Sequence, residues 1–408
     1  MKGLRLVTAQ QPEELLVDIR QALTASGDAI LPVPGAVSAV VPGEALTLVP
    51  KPVAVVIETS GSTGVPKRVM LSRDALLSSA AASAATLGGP GQWLLALPGH
   101  YVAGVQVLVR SIVADTTPVL LPPGHFDPLV FAEFAERLSE PLRYTSLVPV
   151  QLARLLHVAA SNPRVAAVLR RFTAILVGGQ AVPPELLVRA AEMDVRVVRT
   201  YGSSETAGGC VYDGAPIGNT VVRVVDGQLE ISGSVLGEAY LGDPDRTAAR
   251  FITEHGVRWY RTGDLGEIDA NGLVRVLGRA DNVIISGGEK VSLDAVERVV
   301  QGVPGFAGAL VVAADDPQWG QVPVVVRPVG PAGVGRREGP LEGALDGARA
   351  GGLTAEVELA SMARVVVSAL GRAARPARLI AVPTIPLLAS GKPDLHTLRL
   401  LAAASMER

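Results

Sequence analysis

Between residues 51 and 200, short runs of apolar and β-branched residues alternate with longer stretches rich in alanine and leucine. Trp93–Leu97, Thr117–Leu121 and Ala174–Val177 read as strands, and Pro128–Leu138 and Val150–Ala160 as helices. Strands alternating with helices are the pattern of a layered α/β domain. A short helix around Pro12–Ala25 and a Pro/Val-rich connection precede this region. Residues 211–277 have a different character: short β-rich pieces separated by Gly, Asp and Asn turns, with hairpin signals at Asp226-Gly227 and Asn271-Gly272. They predict a β-rich subdomain.

A break follows at Gly278-Arg279-Ala280-Asp281. Beyond it lie a strand at Val283–Ile285 and a helix from about Leu293, capped by Ser292 and striped by Val296, Val299, Val300 and Val303. Residues 330–352 hold eight glycines and read as a flexible loop, with a domain linker as the competing reading. A strand at Ala377–Val382 closes the chain's last domain. The expected fold class is α/β: a large N-terminal layered domain over 1–280 with its β-rich subdomain, and a small, mobile α+β C-terminal domain over 281–408.

Composition excludes several function classes. With 37 basic and 39 acidic residues, the chain has no strong field for nucleic acid or an acidic membrane. Its single cysteine, Cys210, rules out an internal disulfide or a cysteine metal cluster, and five scattered histidines without an H-x-x-x-H pair argue against zinc. The N-terminus turns polar too early for a signal peptide, and no apolar run reaches the roughly 18–20 residues that span a bilayer. A cytoplasmic protein without membrane insertion is expected. The 32 arginines against five lysines make each lysine informative, and Lys67, Lys290 and Lys392 all lie beside glycines.

Residues 59–67 read TSGSTGVPK, after the apolar run Val53–Ile57 and before a helical stretch from Asp74. A loop between strand and helix can turn its amides inward around an anion. Gly61 and Gly64 allow close approach, Thr59, Ser60, Ser62 and Thr63 can donate to phosphate oxygens, and Lys67 adds charge. The spacing is not that of a P-loop NTPase. A plain Gly/Ser surface turn is the alternative for this stretch alone.

Four later segments follow in order: YGSSETAG at 201–208, YRTGD at 260–264, GRADNVIISGGEKV at 278–291 and SGKPD at 390–394. Together with 59–67 they resemble, in sequence and spacing, the signatures of the adenylate-forming acyl-CoA synthetases from about residue 50 to the last residue. Within that superfamily the chain is most similar to the short 2-succinylbenzoate–CoA ligases of menaquinone synthesis, in which the phosphate loop also starts early.

The resemblance implies ATP and Mg²⁺ as cofactors, coenzyme A as co-substrate and a small carboxylic acid as substrate, with a homo-oligomer compatible. It implies that the 59–67 loop and Lys67 hold the ATP phosphates, that Glu205 is the magnesium carboxylate, and that Gly202 and Ser204 flank the nucleotide. By the same resemblance Tyr201 lies against adenine, Gly178 and Gly179 pass the nucleotide, Asp264 accepts from the ribose hydroxyls, and Arg279 contacts ribose or phosphate. Lys392 serves adenylation, Asp281 is the hinge, and Gly287 and Gly288 line the pantetheine passage. His100, Tyr101 and Gln180 are the acyl-pocket candidates. Two departures stand out: Arg68 follows the loop lysine where glycine is usual, and His100-Tyr101 reverses the usual aromatic–His order.

Each of these residues has a plainer reading. Glu205 fits a helix-start carboxylate, Asp264 an ordinary turn, Lys392 a surface lysine, Arg279 a partner for Asp281, and Gly287-Gly288 a simple turn. The alternative functions are a CoA ligase for another aromatic or short-chain acid, an enzyme that loads a carrier protein, and a non-catalytic nucleotide-binding protein.

Overall fold

The computed structural model describes residues 1–24, 26–35, 48–59, 66–329, 352–387 and 393–406. They form two compact units, Met1–Thr262 with Ile268–Arg275, and Gly263–Glu267 with Val276–Arg408.

The first unit is built on two sheets. The larger has seven strands in the order Ala215–Pro216, Gly208–Tyr212, Val197–Ser203, Ala174–Gly178, Arg143–Leu147, Gln92–Leu95, Val119–Leu120. From Val197–Ser203 to Val119–Leu120 every neighbouring pair is parallel. Parallel strands need cover on both faces, and alternate residues show it. Leu176 packs into one core with Leu76 and Leu108, while Ile175 and Val177 pack into another with Phe131, Leu152 and Leu169. Helices Arg73–Leu87 and Val102–Val113 cover the first face; Pro128–Ala135, Pro149–Ala159 and Pro163–Arg170 cover the second.

The other sheet has six strands in the order Ala239–Tyr240, Lys67–Ser72, Val53–Thr59, Ala29–Val33, Lys2–Thr8, Leu48–Val49. Helix Pro12–Ala22 starts on a proline, carries Glu13 and Glu14 in its first turn, and buries Leu15 and Ile19. Helix Arg73–Leu87 starts where Ser72 Oγ accepts from Ala75 N at 3.3 Å, and stops at Gly88, whose φ of 103° suits glycine.

Two sequence expectations change here. Residues 59–67 do not join a strand to a helix. Val69–Leu71 belongs to a strand, Lys67–Ser72, that pairs antiparallel with Val53–Thr59, so the loop closes a hairpin with Thr59 opposite Lys67. The short run Val69-Met70-Leu71 carries the pairing because it buries against the core on both faces, Val69 and Leu71 on one and Met70 on the other. In addition, the strands at 208–216 extend the seven-stranded sheet, and the β-rich region begins only at Val221. It comprises Val221–Val225, Gln228–Ser232, Val257–Ile268 and Phe251–Glu254, with Val274–Arg279 on the third. Its first hairpin turns at Asp226 and Gly227, with φ of 50° and 77°.

The second unit carries a sheet in the order Glu289–Ser292, Val283–Ser286, Gly320–Pro328, Leu310–Asp316, with Arg378–Val382 parallel to Gly320–Pro328. Val325 faces a core with Val296, Val300 and Met362, whereas Val324 and Val326 face Leu398 and Ala402. Helix Leu293–Gln301 is capped by Ser292, as its sequence indicates. The glycine-rich stretch lies outside the described residues except for Gly352, which opens helix Gly352–Leu370.

Candidate active site

The carboxyl ends of the parallel strands Gln92–Leu95, Ala174–Gly178 and Val197–Ser203 share one edge of the seven-stranded sheet, the edge at which open α/β sheets bind ligands. Most first-unit candidates follow these ends. Gly178 is required sterically: a Cβ there meets Thr200 Oγ1 at 2.2 Å on the neighbouring strand. Gly179 has φ of 80°. Gln180 follows it, half-buried, and Tyr201 lies half-buried against the main core. His100 and Tyr101 lead into helix Val102–Val113, with ring centroids 4.0 Å apart. Burial holds the His100 imidazole below its ordinary pKa.

Glu205 occupies a single turn, Ser204–Thr206, between two strands. The turn is built to be tight. A Cβ on Gly202 would stand 2.1 Å from Gly208 O, and Ala207 and Gly208 have φ of 49° and 98°. Thr206 Oγ1 accepts from Ser203 N at 2.9 Å and donates to Gly208 O at 2.8 Å. Gln106 Nε2 donates to Ala207 O at 2.8 Å.

This turn presents Glu205, 1% exposed, to two donors. Lys67 Nζ donates to Oε1 at 2.5 Å, and Tyr240 Oη donates to the same oxygen at 2.8 Å. Burial opposes the charge on Glu205, but the Lys67 ammonium, the hydrogen bonds from Lys67 and Tyr240, and the nearby Ser203 hydroxyl outweigh it and hold the carboxyl below its usual range. Burial first, and then the Glu205 charge, push the Tyr240 hydroxyl well above its ordinary pKa, so it stays a neutral donor. Thr59 Oγ1, opposite Lys67 in the hairpin, is buried and has no hydrogen-bond partner among the described residues. Ser60, Gly61, Ser62, Thr63 and Gly64 lie outside those residues. A cavity of about 320 Å³ beside Lys67 is lined by Arg68, Arg246, Tyr240, Glu58 and Asp243 among others.

These features suit a polyphosphate and its cation. An orphaned buried hydroxyl and a lysine stand at the two ends of the loop, with an ionised, buried carboxylate beside them. Among the described residues no cluster of three or more His, Cys, Asp or Glu side chains could enclose a metal. One carboxylate fits Mg²⁺, which takes few protein ligands and completes its shell with phosphate oxygens and water.

In the second unit, Arg279 Nη1 donates to Asp264 Oδ1 at 3.0 Å, and its Nε and Nη2 donate to the two oxygens of Asp281 at 3.1 and 3.2 Å. The expected partner Asp281 is therefore only half of its role. Asp294, which the sequence did not single out, anchors this turn from both sides: it accepts from Arg279 N at 2.7 Å and Asn282 Nδ2 at 2.9 Å. A Cβ on Gly287 would meet the Trp319 indole at 2.5 Å, whereas the space at Gly288 is open. Lys392 lies outside the described residues.

Tyr240 is the first-unit residue that sequence reasoning missed. It sits in GEAYLGDPDRT at 237–247, on a two-residue strand, Ala239–Tyr240, against Met70 and Val69. The available signal was a lone aromatic among small and charged residues, just before the cap, Asp243, of helix Pro244–Arg250.

The family model described as AMP-binding enzyme matches residues 8–245. A probable 2-succinylbenzoate–CoA ligase of Mycobacterium tuberculosis is 40% identical over 267 residues, covering 64% of this chain and 67% of that protein. A 2-succinylbenzoate–CoA ligase of Listeria monocytogenes is 31% identical over 263 residues, covering 60% of this chain and 53% of its own length. Among solved structures, the o-succinylbenzoate CoA synthetase of Bacillus subtilis in complex with its acyl-adenylate intermediate superposes with a TM-score of 0.67 at 26% identity, over 85% of this chain and 69% of that one.

Proposed function

The chain belongs to the AMP-binding enzyme family, and on that premise we propose that it is an AMP-forming acid–CoA ligase whose acid is 2-succinylbenzoate. The relatives named above carry that activity in their names. The observation that carries the reading on this chain is the buried meeting of Lys67, Glu205 and Tyr240 beside the phosphate-loop hairpin.

The carboxylate of the acid attacks the α-phosphate of ATP, pyrophosphate leaves, and the thiol of coenzyme A then displaces AMP. Such transfer rests on positioning and charge neutralisation. In this reading Lys67 exchanges Glu205 for the ATP phosphates, and Thr59 with Ser60, Gly61, Ser62, Thr63 and Gly64 supplies hydrogen bonds. Glu205 would hold Mg²⁺, which would supply charge neutralisation at those phosphates. Tyr201, Gly202, Ser204, Gly178 and Gly179 frame the nucleotide, while His100, Tyr101 and Gln180 frame the acid. Asp264 accepts from the ribose, and Arg279 fixes its orientation. Lys392 stabilises charge that grows during adenylation. Asp281 is the hinge position, and Gly287 and Gly288 border the pantetheine. We place the activity in the cytoplasm; among the described residues no helix is long and apolar enough to cross a membrane.

ATP–pyrophosphate exchange over a panel of acids, followed by thioester formation with CoA, tests this reading. Exchange and thioester formation are expected with 2-succinylbenzoate in preference to benzoate, succinate and short fatty acids. Exchange with another acid alone would discard the substrate. Release of orthophosphate would discard the mechanism.

A further inference from the structure

Two donors converge on Glu205 Oε1, and they differ in freedom. The Lys67 side chain is 27% exposed at the end of the hairpin loop and borders the cavity of about 320 Å³. A phosphate entering there competes for its ammonium. Tyr240 is 4% exposed, and its ring is seated against Phe251 at 5.7 Å, which in turn packs on Tyr260 at 5.2 Å. The segment that carries Tyr240 also grips the Glu205 main chain, because Gly237 N donates to Glu205 O at 2.7 Å. Its short strand is paired with Val69 and Met70, on the strand that Lys67 begins. One rigid segment therefore fixes both the backbone and one carboxylate oxygen of Glu205.

We propose that Tyr240 is a positioning residue, whose hydroxyl keeps the Glu205 carboxylate oriented toward the cation of the nucleotide once Lys67 has turned to phosphate. The proposal rests on the function proposed above. A buried carboxylate that lost the bonds from both Lys67 and Tyr240 would lose its fixed orientation. With Tyr240 in place, Oε1 stays engaged and the carboxylate keeps one orientation. Tyr240 acts on the chemistry only through Glu205.

The test uses the full chain and Tyr240→Phe, with Mn²⁺ as the probe, followed by electron paramagnetic resonance in the presence of ATP and without acid or CoA. Loss of a hydrogen bond to a charged group is expected to weaken Mn²⁺ affinity about tenfold. ATP binding in EDTA, read by calorimetry, is expected to change less than about twofold. In pyrophosphate exchange the half-saturating Mg²⁺ concentration should rise in parallel, with kcat at saturating Mg²⁺ nearly kept. Unchanged Mn²⁺ affinity overturns the proposal, as does an equal loss of ATP affinity with and without cation, which marks a merely structural role. Phe251→Leu, which loosens the seat of the ring and leaves the hydroxyl, is a second arm: weakened Mn²⁺ affinity supports the proposal and unchanged affinity opposes it. A wild-type protein that binds Mn²⁺ and ATP but makes no 2-succinylbenzoyl thioester rejects the substrate and leaves the Tyr240 result standing. Absence of cation-dependent ATP binding overturns both.

Discussion

Arg279 reaches Asp264 at 3.0 Å while clasping both oxygens of Asp281, so one guanidinium ties the proposed ribose carboxylate to the proposed hinge. The fork geometry matters, since a lysine cannot make three such bonds in one plane. Asp264→Asn and Arg279→Lys are each expected to raise the KM for ATP about tenfold, the scale of a hydrogen bond to a charged group. Steady-state kinetics with varied ATP check this, and an unchanged KM in both variants removes the ribose role.

Lys67→Ala is expected to hurt twice. It leaves buried Glu205 without its ammonium partner, costing about 2–4 kcal/mol of stability, and it removes a phosphate contact. Adding Glu205→Gln should restore much of the thermal stability without restoring pyrophosphate exchange. Melting curves of the single and double variants separate the two effects.

Lys392→Ala is expected to lower the adenylation turnover about 100-fold or more, the scale of losing a group that stabilises transition-state charge. ATP affinity should stay within a few-fold, and the reaction of preformed acyl-adenylate with CoA should persist. Exchange assays beside single-turnover thioester formation measure the split.

Gly202→Ala places a Cβ 2.1 Å from Gly208 O, a backbone atom that cannot swing aside. The turn bearing Glu205 must shift, at a cost of about 1–3 kcal/mol. Lower melting temperature together with lost exchange is expected. A variant of wild-type stability and activity would show that the turn is softer than its contacts indicate.

Glu297 gives a pH dependence of stability outside the proposed chemistry. It accepts from Val311 N at 2.9 Å. Burial raises its pKa to about 7 against that hydrogen bond, and repulsion from Asp294 adds to the rise. A raised carboxyl favours folding below its unfolded pKa and loses that contribution as pH climbs through the folded value. Stability should therefore fall between about pH 4.5 and 7, by roughly 1–3 kcal/mol at most. Glu297→Gln keeps an acceptor for Val311 N and should flatten that slope, as denaturant titrations at several pH values will show.

The site was legible wherever a local signature coincides with a local constraint. Glu205 and Lys67 stand in distinctive stretches, and the tight turns at Gly178 and Gly202 follow from neighbouring strands that leave no room for a side chain. The hairpin at 59–67 is hidden in the sequence because Val69–Leu71 is too short to announce a strand beside a glycine-rich loop, and only its pairing with Val55–Ile57 reveals it. Tyr240 and Asp294 escaped for another reason. Their roles arise from contacts with residues 35 and 15 positions away, and neither lies in a run whose composition marks it.

The hairpin also makes a parity rule. Lys67 and Arg68 are successive residues on one strand, so they point to opposite sides: Lys67 to buried Glu205, Arg68 to Glu58 across the ladder at 2.8 Å. A one-residue slip would trade the two cations, turning the guanidinium toward the interior acid and the amine toward solvent. Odd and even alone thus decide which base the sequestered carboxylate meets, and a single-residue deletion from position 67 onward should exchange them.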